Sequence, residues 1–359
     1  MKILCFYPAL APYRVDFFNL LGGLVELKVM FLYKNVPSQE HSQEELLKDA
    51  KFGYDYLTKG FEFAGRAFRI GIIRKIREEN ADVVVSYEAG PVTALIVLYR
   101  MIFGGKFRLF TTTDDRPAQI EERRGARRFV RDFVYRHVDG IIVTCEESGN
   151  AIRRVVGIGN KIETFVLPII HDIGLIRSNA KDVILHGLKW RRSFAREGEK
   201  VLLFVGRLVP VKNLYWLIEK FASEMEASVR LVIVGSGPEE SGLAAKVKEL
   251  GLGGRVRFEG RLEGDALYAI MSAADALVLC SHSETYGAVV AEAMQWGTPA
   301  LVRDTCGAKY IVEEDVNGCV FHSDDFADCA RKALSLKKGT DSILPLKLPD
   351  YVERIVARL

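Results

Sequence analysis

The chain has 359 residues, a length more typical of two domains than of one. Hydrophobic residues make up 49% and charged residues 27%, which is the balance of a globular protein with enough apolar material for two cores. The net charge of +3 is too small to indicate nucleic-acid binding, and the sequence contains no zinc-finger or RNA-binding signature.

The cysteines and the apolar stretches indicate a cytoplasmic protein. The six cysteines contain no C-x-x-C pair, a pattern that favours reduced thiols over a disulfide framework. The first residues begin a strand and lack the features of a signal sequence. The longest apolar stretch, Pro91–Phe103, is interrupted by Arg100 and is too short to cross a hydrocarbon core of about 30 Å. We therefore predict no membrane span.

Short β-branched runs alternate with amphipathic segments, a pattern typical of parallel sheets covered by helices. The runs predicted as strands in the first half cover residues 3–7, 27–32, 82–86, 107–111 and 140–144. Those in the second half cover residues 201–205, 229–234, 256–259, 276–280, 300–302 and 318–321. Two such sets predict an α/β fold class with two facing Rossmann-like domains, each built on a parallel sheet.

The domain boundaries follow from where the pattern changes. We assign residues 1–170 to an N-terminal, acceptor-side domain and residues 199–345 to a C-terminal, nucleotide-sugar-binding domain. Residues 171–198 are polar and periodic without a convincing strand, and we assign them to a connecting segment. Residues 346–359 are predicted to form a helix that packs back on the N-terminal domain.

The loop after the strand at 201–205 carries two cations. Ligands of such folds bind beyond the carboxyl ends of the strands. Lys212 is predicted in the first turn of a helix, where it opposes the macrodipole by roughly 0.3–1 kcal/mol, so local stability does not explain it. With Arg207 it would form a two-cation clamp for a diphosphate. The alternative is a pair of solvated loop cations.

The loop after the strand at 276–280 carries Glu284, and a helix is predicted to begin near Gly287. Free backbone N–H groups at this helix end would suit a phosphate, and Gly287 would permit close approach. Glu292 lies in an otherwise small and apolar helix, where sugar hydroxyls could donate to its carboxylate. A solvated helix residue is the alternative for Glu292.

Three other signals are weak. Residues Gly235-Ser236-Gly237 lack the last glycine of G-x-G-x-x-G, so NAD binding is not expected. His282 lies between two serines without a G-x-S-x-G elbow, which leaves a hydrolase unsupported. Asp114 and Asp115 have no nearby third ligand, so a loop role explains them at least as well as a metal. We predict no metal and no cofactor.

The second half closely resembles the retaining glycosyltransferases of family 4, which have the GT-B fold with a deep interdomain cleft. Three features in order carry the resemblance, over residues 201–321: Gly206-Arg207-Leu208 leading to Lys212-Asn213, Val256-Arg257-Phe258-Glu259-Gly260 after Gly235-Ser236-Gly237-Pro238, and the E-x7-E motif from Glu284 to Glu292 followed by Gly297-Thr298-Pro299.

The resemblance implies a nucleotide-diphosphate sugar as the donor substrate, with UDP favoured over GDP. It implies catalytic roles for Arg207 and Lys212 at the diphosphate and for Glu284 at the sugar. The donor-binding residues that it adds are Gly206, Phe258 beside the base, the backbone of Tyr286, Gly287, Ala288 and Val289, and Glu292 at the ribose. It also implies metal-independent transfer with retention at the anomeric carbon.

The first half matches the family only weakly. The loop after the first strand reads Pro8-Ala9-Leu10-Ala11-Pro12-Tyr13-Arg14 instead of a glycine-rich sequence. Its Pro-Tyr-Arg resembles a subset that acts on bacterial surface polysaccharides such as capsule, O-antigen or exopolysaccharide. Tyr13 and Arg14 are therefore acceptor-side candidates. The resemblance implies that Asp114 or Asp115 takes the place of a histidine that many members have in the acceptor-side cleft.

A basic segment, residues 121–136, alternates arginines with aromatic residues and predicts a helix with one apolar and one basic face. Either it is a solvated outer helix, or it docks on an anionic membrane surface and the protein is peripheral on the inner face of the cell membrane. The arginines that would contact the lipid are Arg123, Arg124, Arg127, Arg128 and Arg131.

The function predicted from the sequence is transfer of a sugar from a nucleotide-diphosphate sugar to a saccharide or polyprenyl-linked acceptor. Three alternatives stay open: a GT-B nucleotide-sugar epimerase, a noncatalytic nucleotide-sugar-binding protein, and a small-molecule glycosyltransferase without membrane affinity.

Overall fold

The structure is a computed structural model that describes residues 1–34, 42–63, 66–157, 162–339, 341–344 and 346–359. The chain divides into two compact units. The first comprises Met1–Asp172 together with Leu346–Leu359, and the second comprises Ile173–Pro345.

The first unit is built on a seven-stranded parallel sheet with the strand order β3-β2-β1-β6-β7-β8-β9. The strands are β1 (Lys2–Tyr7), β2 (Glu26–Phe31), β3 (Gly53–Tyr56), β6 (Val83–Tyr87), β7 (Arg108–Thr113), β8 (Gly140–Val143) and β9 (Glu163–Val166). A separate antiparallel hairpin joins β4 (Gly60–Phe63) to β5 (Arg66–Arg69).

Helices cover both faces of this sheet. They are α1 (Pro12–Leu24), α2 (Gln43–Leu47), α3 (Ile72–Glu79), α4 (Pro91–Phe103), α5 (Pro117–Glu121), α6 (Gly125–His137), α7 (Glu146–Val156) and α15 (Leu348–Val356). One continuous core joins α3, α4, α6 and α7 to a single face of the sheet. The central strands are buried on both sides, which is why their sequences read as unbroken apolar runs.

The second unit is built on a six-stranded parallel sheet with the order β12-β11-β10-β13-β14-β15. Its strands are β10 (Lys200–Val205), β11 (Val229–Val234), β12 (Val256–Gly260), β13 (Ala276–Leu279), β14 (Ala300–Arg303) and β15 (Gly318–Phe321). Its helices are α8 (Ile173–Ile176), α9 (Ala180–Arg192), α10 (Leu214–Glu224), α11 (Glu240–Glu249), α12 (Gly264–Ala273), α13 (Ala288–Gln295) and α14 (Phe326–Ser335).

The strand order of the second sheet reverses between β10 and β13. The loops that follow two such adjacent strands diverge to opposite faces and leave a crevice at the carboxyl edge, called here the switch point. The loop after β10 contains residues 206–213 and the loop after β13 contains residues 280–287. Both loops are the ones in which the sequence predicts donor chemistry.

The predicted connecting segment from 171 to 198 lies with the second unit from Ile173 onwards. Its helix α9 packs closely on α12, because a Cβ at Gly187 would come within 2.3 Å of the Ala269 carbonyl oxygen. Arg191 of α9 donates to the Ala273 carbonyl at 2.7 Å. The segment is therefore part of a domain in this structure and not a free linker.

The C-terminal helix α15 lies in the first unit, where it packs on α1. The Arg108 guanidinium fixes the end of the chain by donating to the Arg358 and Leu359 carbonyl oxygens at 2.6 and 2.8 Å. No helix of the described residues has both the length and the apolar character that a membrane span requires.

Candidate functional site

Lys212 and Glu284 form an ion pair at the switch point of the second sheet. Lys212 follows β10 and Glu284 follows β13, so the pair joins the two loops that diverge there. The Lys212 side chain is only 15% exposed and that of Glu284 23%. A half-buried pair of opposite charges at a crevice of this kind is a candidate for anion and hydroxyl recognition.

The loop before Lys212 has a fixed backbone. Leu208 is fully buried, and its N–H donates to the Ser236 carbonyl at 2.8 Å. Pro210–Lys212 forms one 3-10 turn, and Asn213 then takes a left-handed conformation with φ of +61°. The α-helix begins only at Leu214. The prediction of a helix beginning near Lys212 is therefore wrong by two residues, because the turn and Asn213 separate Lys212 from the helix.

The other loops at this edge hold Glu284 through its backbone. The Gly307 N–H donates to the Glu284 carbonyl at 2.9 Å, and the His282 N–H donates to the Val211 carbonyl at 2.8 Å. The Thr305 hydroxyl donates to the Ser281 carbonyl at 2.7 Å. These hydrogen bonds join the three loops that follow β10, β13 and β14. They fix the backbone of Glu284, whose carboxylate lies beside Lys212.

Helix α13 begins directly after this loop. Its first-turn N–H groups have no side-chain cap, and Gly287 precedes them with φ of +92°. A Cβ at Gly287 would lie 2.5 Å from Cδ2 of Leu279, so both conformation and space require glycine there. The uncapped N–H groups around Ala288 and Val289 are the kind of anion site that helix N-termini provide.

Glu292 lies one turn after Ala288 in the same helix and is half-buried. The Cα–Cβ bonds of a helix tilt toward its N-terminus, so we expect the Glu292 carboxylate to extend toward the end at which Gly287 lies. Glu292 has an interaction in the structure, and a ribose hydroxyl as its partner stays a prediction.

The remaining predicted donor residues are less closely grouped. Arg207 is exposed in the loop after β10, beside Gly206. Phe258 lies on the edge strand β12, two strands from β10, and packs partly against the core of the second unit. Tyr286 is 5% exposed and so can offer its backbone more readily than its side chain. The proposed contacts of these residues stay predictions.

In the first unit, Arg14 is buried at 4% exposure and pairs with Asp114 at 3.1 Å. The Tyr87 hydroxyl donates to the other Asp114 oxygen at 3.3 Å. The Arg14 guanidinium also lies over the Tyr13 ring, 5.3 Å from its centre. Three of the predicted acceptor-side residues, Tyr13, Arg14 and Asp114, therefore form one group at the carboxyl ends of β1, β6 and β7.

Asp115 points into a different group. It pairs with Arg123, and with Arg131 at 2.7 Å, and accepts from the Thr113 hydroxyl at 2.6 Å. Burial alone would raise the pKa of Asp115, but the hydrogen bonds from Arg123 and Thr113 and the charge of Arg131 outweigh it and hold the pKa at about 2.

The ion pairs of Asp115 contradict the lipid contacts predicted for Arg123 and Arg131. Arg123 and Arg131 are largely buried, with side chains 16% and 12% exposed, and are engaged by Asp115. Arg131 also reaches Glu88 at 3.4 Å. These two arginines form ion pairs within the first unit and are not available to lipid. Arg124 and Arg127 are exposed, and Arg128 is partly exposed.

Three residues at this edge of the first sheet were not predicted. Tyr87 holds Asp114, as described above. Gln43 is 2% exposed and exchanges two 2.7 Å hydrogen bonds with the backbone of Leu10, which fixes the loop after β1. Glu88 has φ of +58° directly after β6, a conformation that is uncommon in non-glycine residues and is found more often at functional sites. Of the three, only Tyr87 and Glu88 could have been proposed from the sequence, because both directly follow the predicted strand at 82–86.

Among the residues that the structure describes, no three His, Cys, Asp or Glu side chains lie close enough together to hold a metal ion. Metal independence stays a prediction. Burial raises the pKa of the Cys280 thiol to about 12 and that of Cys306 to about 11. Both cysteines near the switch point therefore stay protonated at neutral pH and are poor nucleophiles.

The two Rossmann-like parallel sheets are those of the GT-B fold. Residues 188–348 match the family model described as glycosyl transferases group 1. The uncharacterized glycosyltransferase MJ1607 of Methanocaldococcus jannaschii is 37% identical over 133 residues, which are 36% of this chain and 34% of that protein. The chain thus spans about a third of the length of this curated relative.

Two solved structures share the fold over the whole chain. HepE of Anabaena, solved in complex with UDP, has a TM-score of 0.72 at 18% identity, with 100% of both chains covered. The lipopolysaccharide outer core galactosyltransferase WaaB, in its apo form, has a TM-score of 0.72 at 19% identity, again with 100% of both chains covered. The predicted fold class and the predicted resemblance to GT-B glycosyltransferases are confirmed, while the assignment to family 4 stays a prediction.

Proposed function

We propose that the chain is a retaining glycosyltransferase of family 4 that moves a sugar from a nucleotide-diphosphate sugar to a saccharide or lipid-linked acceptor without a metal. The observation that carries the proposal is the Lys212–Glu284 pair at the switch point, beside the uncapped N-terminus of α13. It places a cation, a carboxylate and free amides at one edge, which are the groups that a sugar diphosphate needs.

The donor diphosphate would bind between Lys212 and the first turn of α13. The Lys212 ammonium has three N–H donors, of which one faces Glu284, so the others remain for phosphate oxygens. Arg207 in the same loop would supply a second cation. With two cations and a helix N-terminus, the charge that develops on the leaving diphosphate is stabilised without requiring a metal ion.

The two carboxylates would recognise hydroxyl groups. An ionised carboxylate only accepts hydrogen bonds, and sugar hydroxyls donate them. Glu284, held beside Lys212, is assigned to the donor sugar, and Glu292, further along α13, to the ribose. Phe258 is assigned to the base, which we expect to be uracil because HepE, which shares the fold, binds UDP.

In the reaction, the bond between the anomeric carbon and the diphosphate oxygen breaks, and the acceptor oxygen bonds to the same face of that carbon. The acceptor proton passes to an oxygen of the leaving phosphate. Lys212, Arg207 and the α13 amides hold the negative charge of the product diphosphate. Glu284 has no nucleophilic role in this scheme.

The acceptor is proposed to be a bacterial cell-surface polysaccharide precursor. This rests on the Pro-Tyr-Arg sequence at 12–14 and on the shared fold with WaaB, whose name describes a lipopolysaccharide galactosyltransferase. Tyr13, Arg14 and Asp114 would then belong to the acceptor side.

A donor screen tests the proposal. Binding of UDP-, GDP- and ADP-sugars is measured by calorimetry, and release of the nucleotide diphosphate is then assayed with and without polyprenyl-linked saccharides. We expect one nucleotide class to bind and diphosphate release to require the acceptor. Conversion of the sugar nucleotide to an isomer would favour the epimerase, and binding without turnover on any acceptor would favour the noncatalytic alternative.

A further inference from the structure

Helix α4 has an apolar surface on the side that faces away from the sheet. Ile96 and Val97 are fully buried in the core of the first unit. Leu95, Leu98 and Ile102 lie on the opposite side of the helix, with exposed fractions of 42%, 45% and 70%. Met101 and Phe103, in the last turn, are also exposed, at 57% and 67%. A helix on the surface of a globular protein normally carries polar residues there. These five side chains are called the α4 face.

The α4 face lies in the middle of a helical layer. Helices α3 and α6 both pack against α4, and all three belong to the same core beneath the sheet. Arg77 of α3 donates to the Tyr99 hydroxyl at 3.2 Å, and the Tyr99 ring contacts the Phe103 ring with centres 5.6 Å apart. An exposed guanidinium therefore lies at one edge of the apolar surface.

Helix α6 supplies the other edge. Arg100 of α4 pairs with Asp139 and donates to the His137 carbonyl, so the end of α6 is joined to α4. Phe129 of α6 is 76% exposed, one turn before Phe133, which packs on the shared core. Arg124 and Arg127 are exposed along the same stretch, and Lys106 is exposed just after α4.

We propose that the α4 face, together with Phe129, inserts into the headgroup region of an anionic lipid bilayer, with Arg77, Arg127 and Lys106 contacting lipid phosphates. Apolar side chains bordered by basic ones are the composition of surfaces that lie in a membrane interface. The surface proposed here differs from the one predicted from the arginine-rich segment, because apolar contacts of α4 carry it and Arg123 and Arg131 do not contribute.

Charge favours a bilayer over a second copy of the chain as the occupant. Helix α4 contains no acidic residue, and the one acidic residue of α6, Asp132, pairs with Arg128 at 3.5 Å. On α3, Glu78 already pairs with Arg74 and Lys75. A self-association through this face would place two apolar surfaces with the same basic border against each other, whereas anionic lipid supplies the opposite charge.

Vesicle co-sedimentation tests the proposal and needs no catalytic activity, so its outcome is independent of the proposed transferase reaction. The full chain is mixed with vesicles of phosphatidylcholine alone or with about a third phosphatidylglycerol. The apolar variant is I102S with F103S, and the charge variant is R77Q with R127Q. Matched controls on α9 of the second unit are L185S with L188S, exposed at 55% and 47%, and K189Q with R192Q.

We expect the wild type to bind the anionic vesicles, and more weakly as salt is raised. The apolar variant should bind at least about tenfold more weakly, and the charge variant roughly fivefold more weakly for each arginine. The controls should bind like the wild type. Circular dichroism melting checks that each variant is folded.

Two outcomes would overturn the proposal. One is wild-type binding that none of the variants changes, and the other is no binding of the wild type to anionic vesicles at low salt. An apolar variant that only converts a dimer to a monomer in sedimentation velocity would assign the face to a second copy instead.

Discussion

Lys212 and Glu284 are 72 residues apart in the chain and form an ion pair at the point where the strand order of the second sheet reverses. Each residue alone has an ordinary explanation in the sequence, as a loop cation and a loop acid. Their pairing beside the uncapped α13 makes them parts of one site.

Replacing Lys212 with methionine should weaken UDP binding about ten- to hundredfold. The substitution removes a charge-assisted hydrogen bond, which contributes about 1.5–3 kcal/mol. Titration calorimetry with UDP measures the effect. The control is K220M, which removes a lysine of the same unit that pairs with Glu224 on α10. Equal affinities for K212M and the wild type would refute the donor-site assignment.

Replacing Glu284 with glutamine should have a different effect from K212M. Loss of the carboxylate leaves the Lys212 ammonium without its present partner, so UDP, which lacks the sugar that is transferred, should bind as well as before or more tightly. Binding of the sugar nucleotide should lose its advantage over UDP, and turnover should fall. The control is E224Q. If E284Q weakens UDP binding as much as K212M does, then Glu284 is not assigned to the sugar.

Gly287 should not tolerate alanine. Its φ of +92° and the 2.5 Å approach of a Cβ to Leu279 predict a destabilisation of about 1–3 kcal/mol and a disturbed start of α13. G264A separates the two causes, because Gly264 has φ of +55° but no atom near its Cβ position. Urea unfolding measures both variants, and we expect the larger loss for G287A. Similar losses would mean that close packing at Gly287 is unimportant.

Asparagine at Asp114 should destabilise the first unit by about 3–5 kcal/mol, because Arg14 would stay buried without a negative partner. Chemical denaturation measures this change. Replacing both residues with leucine should restore much of the lost stability, since it removes the isolated charge. A D114N protein as stable as the wild type would show that Arg14 does not need this pair.

Asp115 gives the first unit a stability that depends on pH. Its pKa is lowered from 3.8 to about 2 in the folded protein, so the contribution is present above pH 4 and is lost as pH falls toward 2. The size is on the order of 2 kcal/mol. The stabilities of the wild type and of D115N, measured by urea unfolding, should differ less at pH 3 than at pH 7 because part of the contribution is lost at the lower pH. The exposed Asp324, replaced with asparagine, serves as the control, and parallel curves for D115N and wild type would contradict the assignment.

The fold was largely predictable from the sequence because parallel strands buried on both faces leave unbroken apolar runs. The strands at 229–234 and 318–321 were predicted with the bounds that the structure has. The strands that were missed lack this signal: β3 (Gly53–Tyr56) and β9 (Glu163–Val166) are the two edge strands of the first sheet, and β4 and β5 form a separate hairpin. An edge strand has neighbours on one side only, so its sequence is less constrained.

The sequence indicated candidate residues for the site but not the contacts between them. Strand ends identify which loops meet at the edge of the sheet, which is how Lys212 and Glu284 were found. The pairs Arg14–Asp114 and Arg123–Asp115 join residues from different elements, and no local periodicity encodes such pairs. The exposure of the α4 face was also not predicted, because a continuous apolar stretch has the same sequence pattern whether one side of the helix or both sides are buried.

The most direct test of the account is the anomeric configuration of a product made by the purified chain. The donor identified in the screen is supplied with a lipid-linked saccharide, and the anomeric proton of the transferred sugar is recorded by NMR during the reaction. We expect a new glycosidic bond with the same configuration as the donor, formed by the wild type and by K220M but not by K212M. A product of inverted configuration, or one that K212M forms at the wild-type rate, would contradict it.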